Sequence, residues 1–175
     1  MSVETEQHGA AGPISGYAPS HERPPLGSYA LVTALFNAAF AGAVAAAKSS
    51  GRELPERVSP ADVVLIGTAS HKLSRVIAKD RVTSFIRAPF TRYQDQGGPA
   101  ELQESARGTG VQRAIGELIA CPYCLGLWTS AGFHVGLLYA PRLTRLLAST
   151  FTALTISDFL QIAYKAAEDK GLGGS

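Results

Sequence analysis

The sequence predicts an all-α fold, a polytopic membrane bundle of three or four helices, and three observations carry that expectation. Two runs of twenty or more residues contain no Asp, Glu, Lys or Arg. Charged residues make up 17% of the chain, below the roughly 25% of soluble domains, and they cluster between the apolar runs. No segment alternates apolar and polar residues with the two-residue period of a strand. Length is silent, because a soluble domain of 175 residues could also bury most of its apolar surface. Apolar helices without a polar face are unusual in water, which disfavours a soluble bundle.

Residues 1–27 combine Pro13, Pro19, Pro24 and Pro25 with Gly9, Gly12 and Gly16 and have no apolar periodicity, so a disordered N-terminal tail is expected. The helical membrane domain follows over 28–166. Its first helix, about 28–47, is charge-free between Arg23 and Lys48, and about 20 residues suffice for a helix to cross hydrocarbon. Ser59, Pro60 and Asp62 read as an N-cap, a first-position proline and a first-turn acid, opening a helix over about 60–79. That helix is apolar only across Ala61–Ser70, a length that suits a re-entrant or interfacial segment as well as a crossing. A basic cytoplasmic loop is expected over 80–116, with its glycine-rich part, 94–110, flexible. Helices over about 117–140 and 143–166 complete the domain, joined by a tight turn at Pro141–Arg142, and a flexible tail is expected over 167–175.

Lys72, Arg75, Lys79, Arg81, Arg87 and Arg92 against the single acid Asp80 assign the region after the second helix to the cytoplasmic side. If the second helix crosses, both termini are cytoplasmic; if it does not, the N-terminus faces out. Lys48, Arg52 and Arg57 would resist translocation and keep the second option open. Small residues at four-residue spacing (Ala38, Gly42 and Ala46; Gly132 and Gly136; Ser149, Ala153 and Ser157) suit close helix packing, a homo-oligomer or a membrane-protein partner.

Chemistry concentrates in two places. Cys121-Pro122-Tyr123-Cys124 has the spacing of a thiol redox motif, but a glutaredoxin-like domain needs strands, and a membrane dithiol relay needs a second cysteine pair that this chain lacks. Counting along an antiparallel hairpin places Asp158 level with Cys124, with His71 and Arg75 at a similar depth on one face of the second helix. A polar cluster of His71, Arg75, Cys121, Cys124 and Asp158 is therefore expected. Its sharp reading is a zinc or proton site on Cys121, Cys124, His71 and Asp158; its plain and favoured reading is an ion pair of Asp158 with Arg75 or His71 that locks helices together. The second place is the run 79–93, where Lys79, Arg81, Arg87 and Arg92 alternate with Phe85, Phe90 and Tyr93. Beside membrane helices this composition suits anionic lipid headgroups, and a net charge of only +2 argues against a nucleic-acid partner.

The blocks HKLSRVIAKDRVTSFIRAPFTRY at 71–93 and RGTGVQRAIGELIACPYCLGLW at 107–128, with SDFLQIAY at 157–164, resemble a bacterial family catalogued as domain of unknown function 1360. The resemblance implies a small integral membrane protein, some relatives being labelled sporulation-associated, and brings no established activity with it. The expectation is thus a multi-pass protein of the bacterial cell membrane, more consistent with assembly or partner binding than with an enzyme. The alternative is a membrane-embedded metal-binding or thiol redox protein using the Cys-Pro-Tyr-Cys motif.

Overall fold

A computed structural model describes residues 17–18 and 23–172. Its elements, in chain order, are α1 (Leu26–Ser49), α2 (Pro60–Lys79), a 3-10 turn (Arg81–Thr83), α3 (Ser84–Arg87), β1 (Thr91–Gln96), β2 (Leu102–Ala106), α4 (Gly110–Ala120), α5 (Pro122–Tyr139) and α6 (Pro141–Leu172). The fold is mostly helical, with one two-stranded antiparallel hairpin between α3 and α4.

Side-chain contacts fix the direction of each long helix. At the start of α1, Tyr29 donates to Glu117 of α4, while near its other end the Ala43 carbonyl accepts from Tyr139 at the close of α5. Asp62 and Arg145, at the starts of α2 and α6, form a two-bond ion pair at 2.8 Å, and further along the same helices Lys72 meets Asp158 at 2.7 Å. Thus α1 and α5 run one way and α2 and α6 run back. The hairpin and α4 sit at the end where α1 and α5 begin and α2 finishes.

Helix α2 lies between α5 and α6 around a core of Ile66, Ala69, Phe133 and Ala148, with Leu65, Leu73, Leu137 and Phe151 packed against it. Close approach depends on small and hydroxyl side chains as much as on apolar ones. Thr152 donates to the Leu65 carbonyl at 3.1 Å, and Thr155 and Thr129 reach the Thr68 and Ser70 carbonyls at 3.4 Å. Gly136 presses on α6 so tightly that a Cβ there would stand 2.7 Å from Thr144 Oγ1. Gly42 and Gly132, by contrast, face open space, and Ser149 and Ala153 are exposed, so those small residues mark no contact within the chain.

Four expectations need correcting. The all-α class omits the hairpin, and the loop expected over 80–116 is folded throughout its middle. No apolar alternation marks this hairpin because TRYQDQ and LQESA are polar on both faces; its stability comes from what packs on it, described below. The helix expected over 117–140 is two helices, α4 and α5, bent by 82°. Pro122 disfavours the helical conformation at the residue before it, and Cys121 is extended with φ −106° and ψ 107°. At the C-terminus α6 continues to Leu172, so the flexible tail expected from 167 is helical to that residue. The N-terminal tail expected over 1–27 lies largely outside the described residues.

Among the described residues two helices are long and apolar enough to cross a membrane, Leu26–Ser49 and Pro141–Gly171, and the bent pair α4–α5 makes a third if it counts as one span. Helix α2, which carries Asp62, His71, Lys72, Arg75 and Lys79, is not among them.

Candidate functional site

Polar side chains of α2, α3, the hairpin and α4 converge at the end of the bundle where the hairpin lies. At its centre is Arg87, whose side chain is fully buried and paired with Glu104 of β2, itself only 6% exposed. The same guanidinium donates to the Ile77 carbonyl at 2.7 Å, to Thr83 Oγ1 at 2.8 Å and to the Asp80 carbonyl at 3.0 Å. Such a fork of donors suits the site, because burying an arginine is tolerable only when each donor finds an acceptor. Thr91, also buried, donates to the Arg87 carbonyl at 2.9 Å. One guanidinium therefore ties the last turn of α2, the 3-10 turn and the hairpin into a single body.

Two further ion pairs flank this knot. Arg75 of α2 pairs with Glu101, which bridges back to Asp80 at the root of the hairpin. Arg113 and Glu117 pair along one face of α4 at 2.8 Å, and Glu117 also accepts from Tyr29 of α1. The backbones of α4 and the hairpin meet at Gly116, where a Cβ would lie 2.3 Å from the Phe90 carbonyl oxygen. Only glycine allows that contact.

The sequence-predicted cluster is redistributed. Asp158 pairs with Lys72 rather than with Arg75 or His71, and His71 is exposed. Among the described residues no three His, Cys, Asp or Glu side chains gather as a metal site would require, so the zinc set of Cys121, Cys124, His71 and Asp158 does not assemble. Cys121 and Cys124 do come together: their sulfurs lie at disulfide distance, with Cα atoms 5.3 Å apart. Cys121 caps α5, its sulfur accepting from the Cys124 backbone N–H at 3.2 Å, and Cys124 is exposed beside Tyr123, which is 93% exposed. His134 donates through Nδ1 to the Ser130 carbonyl at 2.8 Å, a local bond within α5.

Of the four cations expected at lipid headgroups, Arg87 is removed by its burial, since all three of its guanidinium nitrogens donate to protein acceptors. Arg81 and Arg92 are exposed and Lys79 is half-buried. Glu101, Glu104, Glu117 and Tyr29 were not singled out from sequence. A usable signal existed for the first two: acids following the Gly97-Gly98-Pro99 turn can fold back onto the cations of 72–92 if the turn closes a hairpin.

Comparison with known proteins places the chain. A family model described as protein of unknown function (DUF1360) matches residues 65–164. The chain belongs to this family. Two relatives come from Bacillus subtilis (strain 168). Sporulation protein YjcA is 35% identical over 76 residues, covering 42% of this chain and 64% of the relative. UPF0713 protein YngL is 30% identical over 91 residues, covering 50% of this chain and 66% of the relative. The chain thus spans just under two thirds of the length of each. No solved structure matches the chain. The DUF1360 match runs from Leu65 in α2 to Tyr164 in α6, so it contains the whole Arg87 knot and the cysteine pair while α1 lies outside it.

Proposed function

We propose that the chain is a multi-pass protein of the bacterial cell membrane that acts without catalysis, through assembly in the bilayer with a partner protein or with further copies of itself. The observation that carries this is the apolar surface left uncovered on its long helices. Helix α1 is 24 residues long, yet Ala47 is its only buried residue. Along α6, Leu146, Leu154, Ile156, Phe159, Leu160 and Ile162 are all exposed. In water, contiguous apolar surface on that scale drives aggregation, whereas lipid tails cover it without cost. The family's relatives are bacterial, and the local excess of Lys and Arg at the hairpin end supports a cytoplasmic hairpin, with Lys79, Arg81 and Arg92 facing anionic headgroups.

Membrane fractionation tests this reading. The full chain is expected to stay in the pellet through an alkaline carbonate wash and to leave it only with detergent. Release by carbonate would remove the proposal.

One observation favours a second reading. Cys121 and Cys124 stand at disulfide distance at the start of α5, in the two-residue spacing of a redox dithiol. In that reading the two thiols lose two protons and two electrons to a disulfide of a small molecule or partner protein, which leaves as two thiols while Cys121 and Cys124 join. Acid-quenched alkylation on intact cells distinguishes them. A pair whose oxidation follows added disulfide and dithiol supports the redox reading; a pair that ignores both, with Cys121→Ser plus Cys124→Ser equally stable, rejects it.

A further inference from the structure

The segment between α2 and the hairpin is inside out for a protein in water. Its one buried side chain is the cation Arg87, while Val82 is 78% exposed, Phe85 73% and Ile86 49%. A short turn this exposed would ordinarily rotate its apolar residues inward. Here it cannot, because the Arg87 guanidinium is held by Glu104, Thr83 and the carbonyls of Ile77 and Asp80, and Thr83 is itself bonded to the Asp80 carbonyl at 3.0 Å. The charge serves as the anchor, and the apolar residues are what the anchor presents. Cations border them: Arg81 lies in the same turn and Arg92 at the start of β1, both exposed.

We infer that Val82, Phe85 and Ile86 form a wedge that enters the headgroup–acyl boundary of an anionic membrane leaflet, held rigidly by Arg87 and flanked by Arg81 and Arg92. This deepens the membrane reading and rests on it. Apolar groups of an interfacial segment settle about 5–10 Å into that boundary while neighbouring cations meet anionic headgroups. The wedge lies beside the final turn of α2, at the end where α1 and α5 begin, so it reaches the same leaflet that those helices enter. An anionic leaflet supplies both an apolar interior and a negative surface at the end where the apolar helices α1 and α5 begin, which favours lipid.

The test uses the full chain in vesicles of phosphatidylcholine and phosphatidylglycerol. Trp128 is the chain's single tryptophan, so Trp128→Phe provides a silent background. Phe85→Trp in that background reports the wedge, and Phe159→Trp, at an exposed position of α6, reports the bundle in a parallel sample. The wedge predicts that the Phe85→Trp emission is quenched by lipids brominated near the headgroup, more weakly by lipids brominated at the chain ends, and hardly at all by aqueous iodide. Bromine quenching of Phe159→Trp with iodide quenching of Phe85→Trp would overturn the wedge and leave the membrane reading intact. Phe85→Trp shielded from bromine and iodide alike would mean that protein covers the segment, which also overturns it. Failure of bromine to quench either site would remove the membrane reading and the wedge together.

Discussion

Arg87 sets the geometry of this end of the molecule because its charge has no route to solvent. Its side chain is fully buried and Glu104 is 6% exposed, so the pair works only as a pair. Removing one member of a buried ion pair costs about 3–5 kcal/mol, since the other is left charged and unsolvated, whereas replacing both with apolar residues is close to neutral. Arg87→Met and Glu104→Leu should therefore each lower the detergent-solubilised melting temperature markedly. Combining Arg87→Met with Glu104→Leu should cost much less than the sum, as a double-mutant cycle by thermal unfolding would show. Additive losses would mean that the guanidinium's bonds to Ile77 and Asp80 outweigh its partner. Arg87→Lys should not rescue, because a single ammonium cannot span acceptors on α2, the 3-10 turn and β2. The Lys72–Asp158 pair is a lesser case. Asp158 is 48% exposed in the bundle, so Asp158→Asn should destabilise less than Glu104→Gln in the same assay.

At the scale of elements, the seam between α4 and the hairpin is the sharpest constraint. A Cβ at Gly116 would meet backbone, which cannot swing aside, while Gly132 in α5 has nothing within 4 Å. Gly116→Ala should lower the melting temperature and expose the hairpin to protease, and Gly132→Ala should do neither; limited proteolysis with mass mapping reads both. Equal behaviour of the two variants would show that the seam is not formed. The helical class was legible because long charge-free runs leave the backbone no better way to satisfy its polar groups in an apolar setting. The hairpin was not legible. Its strands carry no apolar alternation, and its position depends on Glu104 and Gly116 meeting residues far away in sequence. The break at Cys121 had a local cause in Pro122, yet an uninterrupted charge-free composition over 118–141 masked it.

For the whole molecule, the decisive fact is that α2 lies between α5 and α6 while the polar contacts at both ends set the helix directions. Arg52, in the far loop, donates to the Leu138 and Tyr139 carbonyls and lies 5.1 Å over the Tyr139 ring, so this cation is used in closing the end of α5. If the hairpin end is cytoplasmic, as proposed, the start of α1 and the end of α6 should both be cytoplasmic, and the segment 50–59 should lie outside. Reporter fusions at each terminus, with a labelling site placed in 50–59, measure this directly. An extracytoplasmic N-terminus would mean that α2 does not traverse the bilayer alongside its neighbours, and would overturn the proposed arrangement.

The sequence alone determined that the chain is mainly helical, that its apolar runs reach membrane length, and where its cations cluster, because these follow from composition and local periodicity. Tertiary structure decided which of those cations face outward. Arg81, Arg87 and Arg92 are indistinguishable as members of one basic run, but a pocket of acceptors built from α2, the 3-10 turn and β2 takes in Arg87 alone. It likewise gave Asp158 to Lys72 and left His71 exposed, since helix rotation and tilt decide partnership among residues of similar depth. Burial is a property of what surrounds a side chain, and for Arg87 those surroundings come from segments as far as 17 residues away, a separation no local pattern encodes.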